Sequence, residues 1–396
     1  MVGGGIIGLA VARELCARHP RSRVCVLERE PRLASHQSSH NSGVLHSGIY
    51  YQPGSLKARL CVAGGRELID YCAARGIPHG RPGKLIVAAQ TSELARLEEL
   101  ARRGAANGVA GLRMLDAKGL RRVEPHARGV AALHSPQTGI VDYGAVARAF
   151  AQDVLGAGGT VASACEVTGV CDEGRSLTLA HGHGATRAKH AVFCAGAWAD
   201  RLAVAAGAGA DPRIVPFRGA YMRLREGRGE LVRSLIYPVP DPSLPFLGVH
   251  LTRNTNGDVL VGPSALLAGA RDAYRLRSVR GRDLLETLTW PGTWRMAARW
   301  WRAAAAEVGQ AAMPSRFVAA AARYVPELRA DDLQPAFAGI RAQALDRRGR
   351  LLDDFAFSFT ARALHVRNAP SPAASASMAI ARHVADEARR EFHLPG

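Results

Sequence analysis

The sequence predicts an α/β protein: a discontinuous, Rossmann-like domain interrupted by a mixed, mainly antiparallel β domain. Three observations predict it. The chain opens on Met1-Val2-Gly3-Gly4-Gly5-Ile6-Ile7-Gly8-Leu9-Ala10, a G-x-G-x-x-G pattern through Gly3, Gly5 and Gly8. Around residue 190 the run Ala191-Val192-Phe193-Cys194-Ala195-Gly196-Ala197-Trp198 reads as a second buried strand, glycine turn and helix start. From about Ile214 to Pro263, β-type runs dominate, with turns at Pro240-Asp241-Pro242 and Asn256-Gly257.

The opening glycines predict a dinucleotide site. An Ala/Leu-rich helical run follows them, and about twenty residues past Gly8 the apolar run Val24-Cys25-Val26-Leu27 ends at Glu28. Glycines let backbone approach a pyrophosphate, the helix N-terminus offers free N–H groups, and the acidic residue takes ribose hydroxyls. Only Val2 precedes the glycines, so the first strand is short. The expectation is a coding start that lies further upstream, the alternative being a shortened form with a weakened nucleotide site.

Next comes Ser38-Ser39-His40-Asn41-Ser42-Gly43-Val44-Leu45-His46-Ser47-Gly48-Ile49-Tyr50-Tyr51, small and polar enough to lie against a flat object. Ser55 caps a helix expected over Leu56–Ala74. Lys84–Ala89 reads as a strand, Ser92–Asn107 as a charged amphipathic helix, and Gly139–Gly144 as the lead into a helix ending near Leu155. Thr160-Val161 and Glu166–Val170 are short β runs. In the β excursion the strands are Ala220–Leu224, Leu235–Pro238, Pro245–Thr252 and Asp258–Gly262. Residues 281–325 are helical, with Trp290, Trp294, Trp300 and Trp301 among Arg295, Arg299 and Arg302. Gly339-Ile340-Arg341 reads as a turn after a loop. Leu364–Arg367 is a last strand, and Asn368-Ala369-Pro370-Ser371-Pro372 opens the closing helix.

Composition narrows the class. At 396 residues, with 47% hydrophobic and 22% charged residues, the chain suits two lobes with cores of their own. No run of eighteen apolar residues is present to span a bilayer. The seven cysteines lack C-x-x-C spacing, which points to a reducing compartment, core filling and no metal site. The formal charge of +18 is spread along the chain and no recognition motif accompanies it, so nucleic acid is not an expected partner.

The blocks Ser39–Tyr51, Pro53–Ala58, Tyr237–Pro242, Pro245–Arg253, Gly339–Ala344 and Val366–Ala374 resemble the L-2-hydroxyglutarate dehydrogenase family, FAD-dependent oxidoreductases of the D-amino-acid-oxidase type. The resemblance implies FAD as cofactor, oxidation of L-2-hydroxyglutarate to 2-oxoglutarate, and electrons passed to a membrane quinone or another acceptor. It implies an FAD-binding domain of residues 1–77, 140–212 and 330–396, and a substrate-binding domain of 78–139 and 213–329. Location would be cytoplasmic or peripheral on the inner membrane in a bacterium, and mitochondrial in a eukaryote. Ser264 stands where the family usually carries Asn, and 281–325 matches it poorly.

Oxidising a 2-hydroxy acid requires an anion clamp, a proton acceptor and a hydride acceptor. Arg341 matches the family's α-carboxylate clamp, suited to it because a planar guanidinium bonds both oxygens at once. His250 and His46 are the two candidate bases, since neutral imidazole accepts a proton at physiological pH. For the distal carboxylate the polar groups in matching motifs are Arg253, Tyr51, Lys57 and Tyr50, with Arg253 or Tyr51 expected. Toward FAD, Gly3, Gly5, Ile6, Gly8 and Glu28 take the adenosine diphosphate half. Ser39, Asn41, Ser42 and Gly43 line the middle and the ring, while Val167 meets adenine. Gly196 belongs to the second nucleotide-side turn, and Asn368 and Ser371 suit the pyrimidine end. The Trp/Arg helix near 290–302 has two readings: a membrane-surface element, or a helix packed under the β lobe.

Overall fold

The first three residues complete a sheet. In this computed structural model, which describes residues 1–244 and 246–394, Val2 bridges in parallel to Leu27 on one side and Phe193 on the other. Its N–H donates to Val192 O at 2.9 Å and its carbonyl accepts from Cys194 N–H at 2.8 Å. Val2 thereby joins the Cys25–Leu27/Thr160–Ala162 pair to Ala191–Phe193, Ala363–Asn368 and Ala356–Thr360. The layer is parallel except at its last pair, as the Rossmann reading requires. The helix Ile6–Arg18 is buried along Ile6, Leu9, Ala10, Val11, Ala12 and Cys16. It packs with Tyr143–Gly156 and Ser377–Phe392 into one apolar cluster on the sheet. Ser55 caps the helix Leu56–Ala74 as expected, its Oγ accepting from Ala58 N–H at 3.1 Å.

A second, nine-stranded sheet runs, among the described residues, in the order Leu266–Leu267, Arg213–Leu224, Val259–Gly262, His250–Arg253, Leu235–Pro238, Lys84–Ala88, Ala131–Ser135 and Arg113–Asp116. Its ninth strand, Leu333–Leu345, lies along Arg213–Leu224. All the pairings are antiparallel but one, Lys84–Ala88 beside Leu235–Pro238. Three strands from 78–139 and five from 213–329 thus share a sheet with Leu333–Leu345, which falls inside 330–396.

Side chains alternate across this sheet with period two. One face carries Leu85, Val87, Ile236, Leu251 and Val261 into a core with Phe317, Val318, Ala321 and Tyr324 of the helical segment. The other carries Ile86, Ala88, Leu235 and Tyr237 toward the nucleotide lobe. The helix Pro314–Ala322 therefore backs the sheet. The helix Pro291–Ala312, kinked at Trp300, buries Met296 but leaves Trp294 and Trp301 about 60% exposed.

Four expectations change. The stretch around Arg341 is mid-strand rather than a turn, because Gly339 opposite Gly219 lets backbone close in: a Cβ on Gly339 would lie 2.5 Å from His40 O. Of the β run expected over Pro245–Thr252, Pro245 lies outside the described residues and the strand is His250–Arg253. The closing helix starts at Ser377, since 369–376 forms turns in which Ala373 N–H donates to Pro370 O. Of the cysteines expected to fill cores, Cys171 is exposed, at a strand position facing outward.

Candidate active site

At the nucleotide end each glycine has its own reason. Gly3 has φ +110° and a Cβ there would collide with the Cys194 carbonyl; a Cβ on Gly8 would collide with Gly3 O. Gly5 differs: its nearest neighbour would be Ser38 Oγ at 3.3 Å, so the missing side chain leaves room beside the loop. This is the division of labour in a dinucleotide turn, with tight turn, close ligand approach and helix–strand packing in that order. Glu28, 6% exposed, accepts from Gly4 N–H at 2.6 Å and Glu30 N–H at 2.8 Å, which fixes its carboxylate at the loop. Ile6 N–H at the helix start donates to Ser38 Oγ at 2.9 Å. Val167 packs with Val2, Leu27 and Phe193 at the same end of the sheet, and Gly196, at φ +52°, opens the 3₁₀ turn after Ala191–Phe193.

These contacts separate two variants. Gly8→Ala forces backbone apart and should yield little folded protein. Gly5→Ala has only a serine hydroxyl to displace, so it should keep a wild-type circular dichroism spectrum while losing about tenfold or more of its FAD affinity. Visible absorbance of the dialysed proteins reads the outcome, and flavin retained by Gly5→Ala at wild-type stoichiometry after dialysis would refute the placement.

The segment after Ser38 holds itself in shape. Asn41 Nδ2 donates to Gln37 O and Ser38 O, each at 2.9 Å, while its Oδ1 accepts from Gly43 N–H at 2.8 Å. Its amide shapes the loop rather than reaching outward. Gly43, at φ +71°, passes close to Val141 O, and Ser39 lies against Gly144. Ser42 lies near Tyr221 and Tyr237. Asn368 is likewise committed to the fold: its Nδ2 donates to Leu352 O at 3.0 Å and Asp354 O at 2.8 Å, though its buried Oδ1 has no partner. Ser371 Oγ lies 3.5 Å from His46 Nε2, and His46 Nδ1 is also buried and unpartnered.

His250 and Thr252 are two apart on one strand and share the face that carries Tyr237. The His250 ring stacks on Tyr237 at 4.0 Å between centroids, and Nδ1–H donates to Gly248 O at 2.9 Å, leaving the Nε2 lone pair free. Burial, with Lys84 and Arg341 nearby and the Gly248 bond opposing, brings the imidazole down to about 3. His46 is also held well below its ordinary value, by burial first and then by Lys84, His250, Lys57 and Arg341. Both rings are neutral at physiological pH. Arg341 stands over Phe246, 4.7 Å from the ring centroid, and is exposed to solvent. Lys84, which sequence reasoning passed over as the first residue of a strand, is 1% exposed on this same face, its Nζ 4.0 Å from the Tyr237 centroid and 5.1 Å from that of Tyr50.

Of the residues expected at the distal carboxylate, Tyr50 lies beside Lys84, while Arg253 and Lys57 are committed to partners of their own. Arg253 is an odd number of positions from His250, so it projects from the opposite face, and its guanidinium donates to Val232 O at 3.1 Å. Lys57 Nζ is held by Asp353 O at 2.9 Å and Asp353 Oδ1 at 2.8 Å. Tyr51, 9% exposed, has its ring beneath that Lys57 amine at 4.9 Å. Neither Lys57 nor Arg253 is free to meet an anion.

A flavin dinucleotide fits these residues: Gly5 leaves a cradle, Glu28 is fixed beside it, and His46 Nδ1 and Asn368 Oδ1 are buried polar atoms lacking partners at the far end. Comparison with known proteins agrees. The model of the FAD dependent oxidoreductase family matches residues 1–387. L-2-hydroxyglutarate dehydrogenase, mitochondrial, of Nematostella vectensis is 45% identical over 100% of this chain and 91% of its own length. The Homo sapiens protein of that name is 43% identical, over 100% and 89%. L-2-hydroxyglutarate dehydrogenase of Indibacter alkaliphilus is 41% identical over 99% and 98%. Among solved structures, FAD-bound L-alpha-glycerophosphate oxidase of Mycoplasma pneumoniae superposes with a TM-score of 0.79 at 25% identity, covering 100% of this chain and 94% of its own.

Proposed function

Because this chain belongs to the FAD dependent oxidoreductases, and among them to the L-2-hydroxyglutarate dehydrogenases, we propose that it oxidises L-2-hydroxyglutarate to 2-oxoglutarate. What supports this reading is a guanidinium, Arg341, with no ion-pair partner among the described residues and close enough to lower His250, together with a buried neutral imidazole whose Nε2 lone pair is free.

Arg341 takes the α-carboxylate with two parallel N–H···O bonds, which fixes the plane of the 2-carbon. His250 Nε2 accepts the hydroxyl proton, and the Gly248 carbonyl holds the tautomer that allows it. In the free site the neighbouring cations oppose protonation of His250. Substrate carboxylates cancel part of that field, so the imidazole becomes more basic once the substrate is bound. His46, beside Ser371, stays on the cofactor side and supplies a polar edge there. The bound flavin supplies the hydride acceptor. Tyr50, Tyr237 and Phe246 exclude water from the reacting atoms.

A dye-linked assay across small acids tests the assignment: turnover of L-2-hydroxyglutarate should far exceed that of glycerol 3-phosphate or glycine, and equal turnover would sink it. For the electron acceptor we favour a membrane quinone. No helix among the described residues is long and apolar enough to cross a membrane, but Trp294 and Trp301 stand exposed beside Arg295, Arg299 and Arg302 on Pro291–Ala312. Exposed indole and guanidinium groups suit an anionic interface. Reoxidation faster with a ubiquinone analogue than with NAD or oxygen supports that choice.

A further inference from the structure

Lys84 is a cation in the wrong place for a structural residue. It is 1% exposed in the middle of the large sheet, paired through its backbone to Leu235 on one side and Ser135 on the other. Its Nζ makes no hydrogen bond or ion pair among the described residues; only the faces of Tyr237 and Tyr50 meet it. The other cations buried among the described residues are satisfied: Arg367, 2% exposed, donates to Gly209 O and Pro212 O, and two others form ion pairs. Arg271, 2% exposed, donates to Asp200 and Glu286, and Lys57 to Asp353. A buried charge left alone is costly, so the free site favours the neutral amine and an arriving anion would favour the ammonium.

Arg341 is exposed rather than buried but shares the neighbourhood. It has no ion-pair partner among the described residues, and both cations act on His250 and His46, so the two lie around the same pair of rings. Both cations therefore lack a negative partner among the described residues. Resting on the reading that the substrate is a 2-hydroxy acid bound through Arg341, we propose that the Lys84 ammonium receives the second carboxylate of a 2-hydroxydicarboxylate and sets the preference for dicarboxylic over monocarboxylic acids. The competing cations are excluded by geometry: Arg253 is on the far face and Lys57 is held by Asp353.

The charge state of the pocket adds a signature. Burial brings the Lys84 amine down to about 7, so it is partly neutral in the free site near neutral pH. An arriving carboxylate favours the ammonium, and binding takes up a proton. The other titratable groups facing Lys84 are moved out of that range. Burial pushes Tyr50 and Tyr237 upward and Cys61 up to about 12, and His46 and His250 are held low. Affinity for a dicarboxylate should thus weaken as pH rises past about 7, and affinity for a monocarboxylate should weaken less.

Titration calorimetry of the FAD-loaded protein with glutarate and with valerate, neither of which has a hydroxyl to oxidise, tests this without turnover. Wild type should bind glutarate about tenfold or more tighter than valerate. Lys84→Met should bind the two within about twofold of each other, with flavin stoichiometry unchanged. If Lys84→Met keeps the glutarate preference, or loses both ligands equally, the assignment fails while the hydroxy-acid reading stands. If wild type shows no glutarate preference, the dicarboxylate reading falls and takes the assignment with it. Should the variant not fold, wild-type titrations from pH 6 to 9 decide: glutarate affinity that does not fall relative to valerate overturns the proposal.

Discussion

Replacing Arg341 with methionine should lower kcat/KM for L-2-hydroxyglutarate about 100- to 1,000-fold while flavin stays bound, the loss expected when one partner of a desolvated charge pair is removed. Methionine preserves the apolar contact with Phe246, so packing of the strand Leu333–Leu345 is largely kept. Both KM and kcat should suffer, because the guanidinium binds the ground state and also orients the 2-carbon. Arg253→Gln is the internal control: it lies on the opposite face of the sheet, and its KM should stay within about twofold of wild type. Steady-state kinetics on the purified, flavin-replete proteins give the answer. A KM change that is larger in Arg253→Gln than in Arg341→Met would reverse the roles assigned to them.

His250→Gln should cut kcat about 100- to 10,000-fold, the range for a positioned base, with only a small change in KM. Glutamine preserves a polar planar group next to Tyr237 but lacks the imidazole lone pair. The pH profile carries a sharper sign. In the free site His250 is depressed to about 3, so kcat/KM should show no acid limb near the ordinary histidine value. With substrate bound, carboxylates offset Lys84 and Arg341 and raise the imidazole, so the acid limb of kcat should lie at higher pH than that of kcat/KM. If His46→Gln instead abolishes turnover and His250→Gln does not, the base has been assigned to the wrong ring.

What the sequence revealed of the site follows from the range of the interactions involved. The glycine turn, Glu28 and the Ser55 cap are local, set by residues within one βαβ unit or one helix turn, and all were legible. His250 and Arg341 stood out through motif resemblance, although the strand around Arg341 was hidden because Gly339 mimics a turn. It faces Gly219 across a pairing far away in sequence. Arg253 was misplaced although the signal was present, since an odd spacing from His250 puts it on the other face of any strand. Asn41 and Asn368 have cofactor-like chemistry, but their amide donors are taken by backbone carbonyls of loops. Lys84 could not be read. A lysine heading an apolar run looks like a strand end, and it becomes buried only because Leu235–Pro238 and Ala131–Ser135 flank it.

In the proposed reaction a bound flavin oxidises a hydroxy acid clamped by Arg341. Its most direct test is an anaerobic titration of the FAD-loaded protein with L-2-hydroxyglutarate, followed in the visible flavin band. Wild type should bleach fully with about one equivalent, 2-oxoglutarate being recovered in equal amount, and bleaching should be slowed by orders of magnitude in Arg341→Met. A flavin that stays oxidised in wild type, or that bleaches as fast in Arg341→Met, would contradict it.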